Sequence, residues 1–114
     1  MRPRNKFGAK RTEIDGIKFD SIGESKRYLV LKARLERGLI SDLRLQKSYA
    51  LTNPNTGMKY GRYIADFVYF ENGQEVVEDF KSKITASQPI FKYKKKMMLD
   101  YYNIEIKEVF KPDE

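Results

Sequence analysis

Residues 60–81 constrain this fold more than any other stretch. Two alternating runs, Tyr60 to Phe70 and Glu75 to Lys81, are separated by Asn72-Gly73. Asn-Gly between alternating runs predicts a tight β-hairpin, because both residues accept the left-handed backbone of a type I′ turn. In the first run Ile64, Asp66, Val68 and Phe70 share one face, while Tyr63, Ala65, Phe67 and Tyr69 share the other. Both faces of this run look largely covered. In the second run Val77, Asp79 and Lys81 share one face, opposite Val76, Glu78 and Phe80.

The flanking segments supply the layers. Thr12-Glu13-Ile14 and Ile17-Lys18-Phe19 around Asp15-Gly16 predict a short hairpin. A helix is expected from Ser21, a fitting N-cap, to about Arg37, followed by Gly38 where a C-terminal glycine belongs. Glu24, Tyr28, Leu31 and Leu35 recur on one side of it and form its buried stripe. Leu43 to Leu51 reads as a strand and residues 53–57 as a turn. A second helix should run from about Gln88 to Tyr102, capped by Ser87 with Pro89 in its first turn, and Ile104 to Phe110 should close the sheet. The expectation is one α/β domain over 10–110, with a basic arm at 1–9 and a short tail at 111–114.

Composition narrows the chemistry. The 114 residues include no Cys and no His, which excludes disulfides, ordinary zinc sites and imidazole catalysis. Any working metal must be a hard cation held by oxygen. A net charge of +7 favours a polyanionic partner, since each neutralised phosphate releases counterions. No apolar run approaches a membrane span and no signal peptide is visible, so a cytoplasmic protein is expected.

Against this background one cluster breaks the pattern. Asp66 interrupts an apolar strand face, and the hairpin brings it close to Asp79, with Lys81 next along the same face. Two neighbouring carboxylates repel and lose solvation unless a cation lies between them. With backbone carbonyls they suit Mg²⁺, and an adjacent lysine can orient an attacking water. A plain Asp–Lys pair at a sheet edge is the structural alternative. Glu24 also has two readings. Ser21-Ile22-Gly23-Glu24 fits a capping box, yet Glu24 heads the stripe facing the sheet, where a buried carboxylate wants a partner. Gln46 is either a satisfied sheet glutamine or a side chain projecting toward the site.

The segments Ser21 to Tyr28, Tyr63-Ile64-Ala65-Asp66-Phe67 and Val77-Glu78-Asp79-Phe80-Lys81, in that order, resemble the PD-(D/E)xK nuclease superfamily. More narrowly, they are similar to its small phage and prophage members, which include Holliday-junction-resolvase-like endonucleases. The resemblance spans residues 21–110 and implies a restriction-endonuclease-like αβββαβ core, a central mixed sheet flanked by helices. It implies Asp66 and Asp79 as metal ligands, Phe80 lending its backbone carbonyl, Lys81 serving the nucleophilic water, and Glu24 as the fourth catalytic and metal-site member. Ala65 stands where the family name has Pro, and Glu78 competes with Asp79, although strand alternation puts it opposite Lys81. The implied activity is a metal-dependent endodeoxyribonuclease using Mg²⁺, with Mn²⁺ as substitute, on branched or duplex DNA, as a homodimer in a bacterial host. Lys83, Gln88, Lys92, Lys95 and Lys96 near the second helix, with Arg4, Lys10 and Arg11 at the arm, are the expected DNA contacts, a solvated lysine face being the alternative.

Overall fold

The computed structural model describes residues 11–114. The arm at 1–9, with Arg4, and Lys10 lie outside the described residues. The element order is β1 (Thr12–Ile14), β2 (Ile17–Phe19), α1 (Ile22–Glu36), β3 (Ser41–Thr52), β4 (Lys59–Glu71), β5 (Gln74–Phe80), α2 (Lys83–Ala86), α3 (Pro89–Tyr102) and β6 (Lys107–Val109). This is the expected mixed α/β order with one added helical turn, α2. β1 and β2 form a separate antiparallel ribbon, and the main sheet runs β3-β4-β5-β6. Its first two pairings are antiparallel, and β5 pairs with β6 in parallel. Asn72 and Gly73 take φ values of 52° and 77°, the backbone a type I′ turn requires. Among the described residues no helix is long and apolar enough to cross a membrane.

Helices cover the sheet on opposite sides. Phe91 and Met98 of α3 pack with Tyr49, Leu51, Tyr63, Ala65, Val68, Val77 and Ile106. Tyr28 and Leu31 of α1 pack with Phe19, Ile40, Phe67 and Tyr69, and Leu43 and Leu45 close around them. The expected simple alternation along β4 does not hold. Tyr63, Ala65 and Val68 belong to the α3 side but Phe67 and Tyr69 to the α1 side, so the buried parity reverses around Asp66. β3 reverses with it, between Leu45 and Tyr49. In β3 the change coincides with Gln46, which lies between the regular pairs Leu45↔Phe67 and Lys47↔Ala65 and has a left-handed φ of 54°.

Other boundaries differ for identifiable reasons. Leu35 points the same way as Glu24, Tyr28 and Leu31 but is 38% exposed; it sits in the last turn of α1, so position along the axis decides, not direction. Ser87 closes α2 instead of capping the next helix, Ser82 caps α2 through a reciprocal bond with Thr85, and Gln88 occupies the N-cap of α3 without a side-chain bond. β6 is shorter than the alternation suggests: only Lys107–Val109 pair, with Glu78–Phe80 of β5.

A side chain absent from the expected core holds these layers together. Arg27 on α1 is fully buried and forks onto Glu78 of β5 at 2.7 and 3.0 Å. Glu78 also accepts the Tyr69 hydroxyl at 2.5 Å. Arg27 Nη1 donates to the carbonyl oxygens of Pro112 and Glu114, and the Glu114 carboxylate accepts the Phe110 and Lys111 amides. The tail at 111–114 is thereby folded back onto α1. Removing one partner of such a pair leaves an uncompensated buried charge. Glu78→Ala is expected to lose about 3–5 kcal/mol of unfolding free energy, read from urea denaturation.

Candidate active site

The β4–β5 register sets the site. Phe67 pairs with Glu78, so the next step along the antiparallel ladder brings Asp66 alongside Asp79. Asp66 Oδ2 accepts the Phe80 amide at 2.8 Å, across the point where the ladder ends. Asp79 is buried, and its Oδ2 accepts the Tyr63 hydroxyl at 2.7 Å. Lys81 Nζ stands 3.4 Å from the same oxygen. The Lys81 ammonium also lies 4.3 Å from the centre of the Phe91 ring, a cation–π contact that holds it over α3.

Glu24 arrives from the other layer. Ser21 Oγ accepts the Glu24 amide at 3.1 Å, which is half of the expected capping box. The Glu24 carboxylate does not return the bond to Ser21; it is buried against the sheet and accepts the Gln46 carboxamide at 3.2 Å. Gly23 allows this approach. A Cβ there would lie 2.5 Å from Cε1 of Phe80, so only glycine lets the first turn of α1 sit on the Phe80 ring.

Electrostatics confirm the crowding. Burial, followed by hydrogen bonding and repulsion from Asp79 and the charge of Glu24, holds the Asp66 carboxyl well above its ordinary 3.8; the Phe80 amide opposes the rise. Burial and the charge of Asp20 push Glu24 above its ordinary 4.5, with Asp79 adding to the rise and a bond from Asp66 opposing it. Tyr63 is driven far up by burial and by the Asp79 charge, so it remains a hydrogen-bond donor. Asp66 thus lies between two other carboxyl groups, each close enough to raise its affinity for a proton. Glu78, the rival acid, is turned away: Arg27 and Tyr69 engage both its oxygens on the α1 side.

These residues fit a hard cation by chemistry. Among the described residues no three acidic side chains converge into a ready-made cage. Mg²⁺ is ordinarily held by one or two carboxylates with water and substrate oxygens, which Asp66, Asp79 and the Phe80 carbonyl would supply, with Glu24 beside them. The raised carboxyls are the supporting observation, since a cation would relieve the repulsion that keeps them high.

The basic residues are less concentrated than their spacing suggests. Lys95 shares the inward side of α3 with Phe91, lies 5.7 Å from that ring and pairs with Glu108 at 3.0 Å. Lys92 and Lys96 are exposed, with Lys96 3.7 Å from Asp100. Lys83 is exposed on the first turn of α2, and Arg11 is 4.0 Å from Asp20. Gln88 is half-buried, its carboxamide 3.5 Å from the Ile84 carbonyl. Tyr102 packs edge-on against Tyr49 at 5.5 Å and donates to the Ala50 carbonyl, which is a packing role.

Sequence reasoning missed Arg27, Tyr63, Phe91 and Gly23. Arg27 carried a usable signal: it falls one turn after Glu24 on an apolar helix side, where a charge needs a buried partner. Tyr63 and Phe91 read as ordinary core, and nothing in the sequence distinguishes them.

Two outcomes follow. Glu24 and Asp66 bind protons more tightly folded than unfolded, so without metal their contribution to stability is fully present below their unfolded values and is lost as pH rises through their raised folded values. With no histidine in the chain, little else titrates between pH 5 and 7. Thermal melts in EDTA across that range should show this fall, and Asp66→Asn, which can donate to both neighbours, should flatten it and raise the neutral-pH Tm by roughly 4 °C or more. Gly23→Ala should cost about 1–3 kcal/mol through overpacking on Phe80, and less in a Phe80→Ala background, as a double-mutant cycle would read.

Comparison with known proteins found no matching curated protein and no matching solved structure. A family model described as "Protein of unknown function (DUF1064)" matches residues 4–112, nearly the whole chain and all of the residues above. The protein belongs to the DUF1064 family.

Proposed function

We propose that this protein is a metal-dependent endodeoxyribonuclease that hydrolyses DNA phosphodiester bonds at the Asp66–Asp79–Lys81 site. The observation that carries the reading is Asp66 alongside Asp79 at the end of the β4–β5 ladder, where Asp79 and Glu24 repel its charged form, with Lys81 3.4 Å from Asp79 Oδ2. A purely structural role would select Asn or an apolar residue at 66, since neither would meet that repulsion.

Water adds to phosphorus as one P–O ester bond breaks, and the departing oxygen takes up a proton. A divalent cation bound by Asp66, Asp79 and the Phe80 carbonyl, with Glu24 at its margin, would supply Lewis-acid stabilisation and a more acidic bound water. Lys81 offers a fixed positive charge and N–H donors beside Asp79, suited to orienting the water and to offsetting charge gathered on the phosphate oxygens. The Phe91 ring keeps that ammonium in place, and the Tyr63 hydroxyl fixes the Asp79 carboxylate. Lys83, Lys92 and Lys96 are exposed in a chain of charge +7, which supports a phosphate-bearing substrate. Branched DNA is the proposed preference by analogy with the junction-cutting members of the superfamily the sequence resembles; paired cuts in a junction would call for two copies of the chain.

The test is cleavage of a labelled four-way junction, a linear duplex and single-stranded DNA, each in Mg²⁺ or EDTA. Cutting should need the metal, favour the junction, and fall at least about 100-fold in both Lys81→Ala and Asp79→Ala. Folded protein that cuts none of these in Mg²⁺ or Mn²⁺ would overturn the nuclease and leave a DNA-binding protein without catalysis.

A further inference from the structure

We infer that Gln46 is a positioning residue of the acidic site: its carboxamide fixes the Glu24 carboxylate, and the chain holds a strained backbone at 46 in order to aim it there. The inference rests on the reading of that site as one that takes a divalent cation.

Backbone geometry comes first. Gln46 has φ 54° in the interior of β3, with regular pairs on either side at Leu45↔Phe67 and Lys47↔Ala65. The other non-glycine residues with left-handed φ among the described residues are Asp15, Asp42, Asn72 and Asn103. Each is an Asp or Asn, the residue types that tolerate this region. Asp15 and Asn72 sit in the β1–β2 and β4–β5 turns, Asn103 closes α3, and Asp42 lies in a register shift of β3. Gln46 alone among them is neither Asp nor Asn, and no chain reversal requires its conformation. Strain of this kind persists where the surroundings over-determine it, and it gathers at functional sites.

The destination of the side chain explains what the strain achieves. Gln46 is exposed, so burial does not compensate the backbone. Its Nε2 donates to Glu24 Oε1 at 3.2 Å, bridging β3 to the first turn of α1. The residue opposite on β4 is Asp66, and it is here that both strands exchange their buried sides. The left-handed backbone at 46 thus gives Glu24 a partner at the same level of the sheet where the buried sides exchange around Asp66. A glutamine merely satisfied within a sheet would not need that backbone.

The experiment compares wild type, Gln46→Ala and Gln46→Gly by two readouts without DNA: Mn²⁺ affinity by calorimetry, and Tm in EDTA. In an ordinary strand position Gly is less stable than Ala. At a left-handed position the order reverses, so Gln46→Gly should melt about 4 °C or more above Gln46→Ala. Both substitutions should weaken Mn²⁺ binding by about 10–100-fold, the usual effect of removing a group that orients a metal ligand. A glycine variant melting at or below the alanine variant would overturn the strain argument. Wild-type Mn²⁺ affinity in both variants would overturn the positioning role and leave the cation site standing. A wild-type protein that binds no Mn²⁺ at millimolar concentration would remove the cation reading, and the inference with it.

Discussion

A charged fork buried between a helix and a strand governs the geometry of the rest. Arg27 lies one turn after Glu24 on α1, and Glu78 immediately precedes Asp79 on β5. Joining Arg27 to Glu78 through two nitrogens and two oxygens, at 2.7 and 3.0 Å, fixes the height and rotation of the helix against the strand. The distance from Glu24 to Asp79 follows from that. Two apolar side chains of similar volume would bury as much surface without selecting one rotation, because hydrophobic contact is not directional. The desolvation of two charges is a heavy cost, offset here by the Tyr69 hydroxyl and the carbonyls of the folded-back tail, which use the remaining donors and acceptors.

The second determinant is the exchange of buried sides in β3 and β4. In a regular strand, successive side chains alternate, so groups on opposite faces of a sheet stay apart. Glu24 comes from the α1 layer, whereas Asp79 and Lys81 extend the row of Val77, which packs on the α3 layer. They meet because Asp66 occupies the place where alternation fails and where the β4–β5 ladder gives way to the Asp66–Phe80 bond. Gly23 matters for the same reason: it lets α1 come down on Phe80, so the helix reaches the break from one side as β5 reaches it from the other.

Much of this was legible in the sequence because it rests on local chemistry. Asn72-Gly73 and Asp15-Gly16 specify turns by backbone tolerance, and Ser21 and Gly38 frame α1. The facing of Asp79 with Lys81, and of Glu78 away from them, follows from strand period alone and agrees with the observed contacts. What escaped was non-local. The period of β4 reads as unbroken because no Gly or Asn near Asp66 marks the reversal, and Gln46, the left-handed residue opposite on β3, has no signature of that kind either. Arg27 reads as one basic residue among 23; its place on the apolar side of α1 hints at burial, but the identity of its partner, Glu78, is set only by the three-dimensional pairing. Ser87 is a good N-cap by type, but the four-residue helix capped by Ser82 takes it as its C-terminal residue and leaves Gln88 to begin α3.

The two scales of charge in this chain oppose each other, and that opposition bears on function. Overall the protein carries +7, and exposed lysines at 83, 92 and 96 present that charge to solvent. At the site the acids outweigh the nearby positive charge: Glu24, Asp66 and Asp79 come close together, and Lys81 pairs with Asp79. Screening over about 8–10 Å in physiological salt lets the two fields act separately, since a distant surface lysine does little for a buried carboxyl. A chain selected only for stability would neutralise the interior acids, and a chain selected only to bind a polyanion would not place acids where the phosphate should approach. Positive surroundings gather a phosphate backbone, and an acidic centre repels it unless a cation intervenes. Under the proposed function, a bound cation and a phosphate would each reduce the electrostatic penalty of the other.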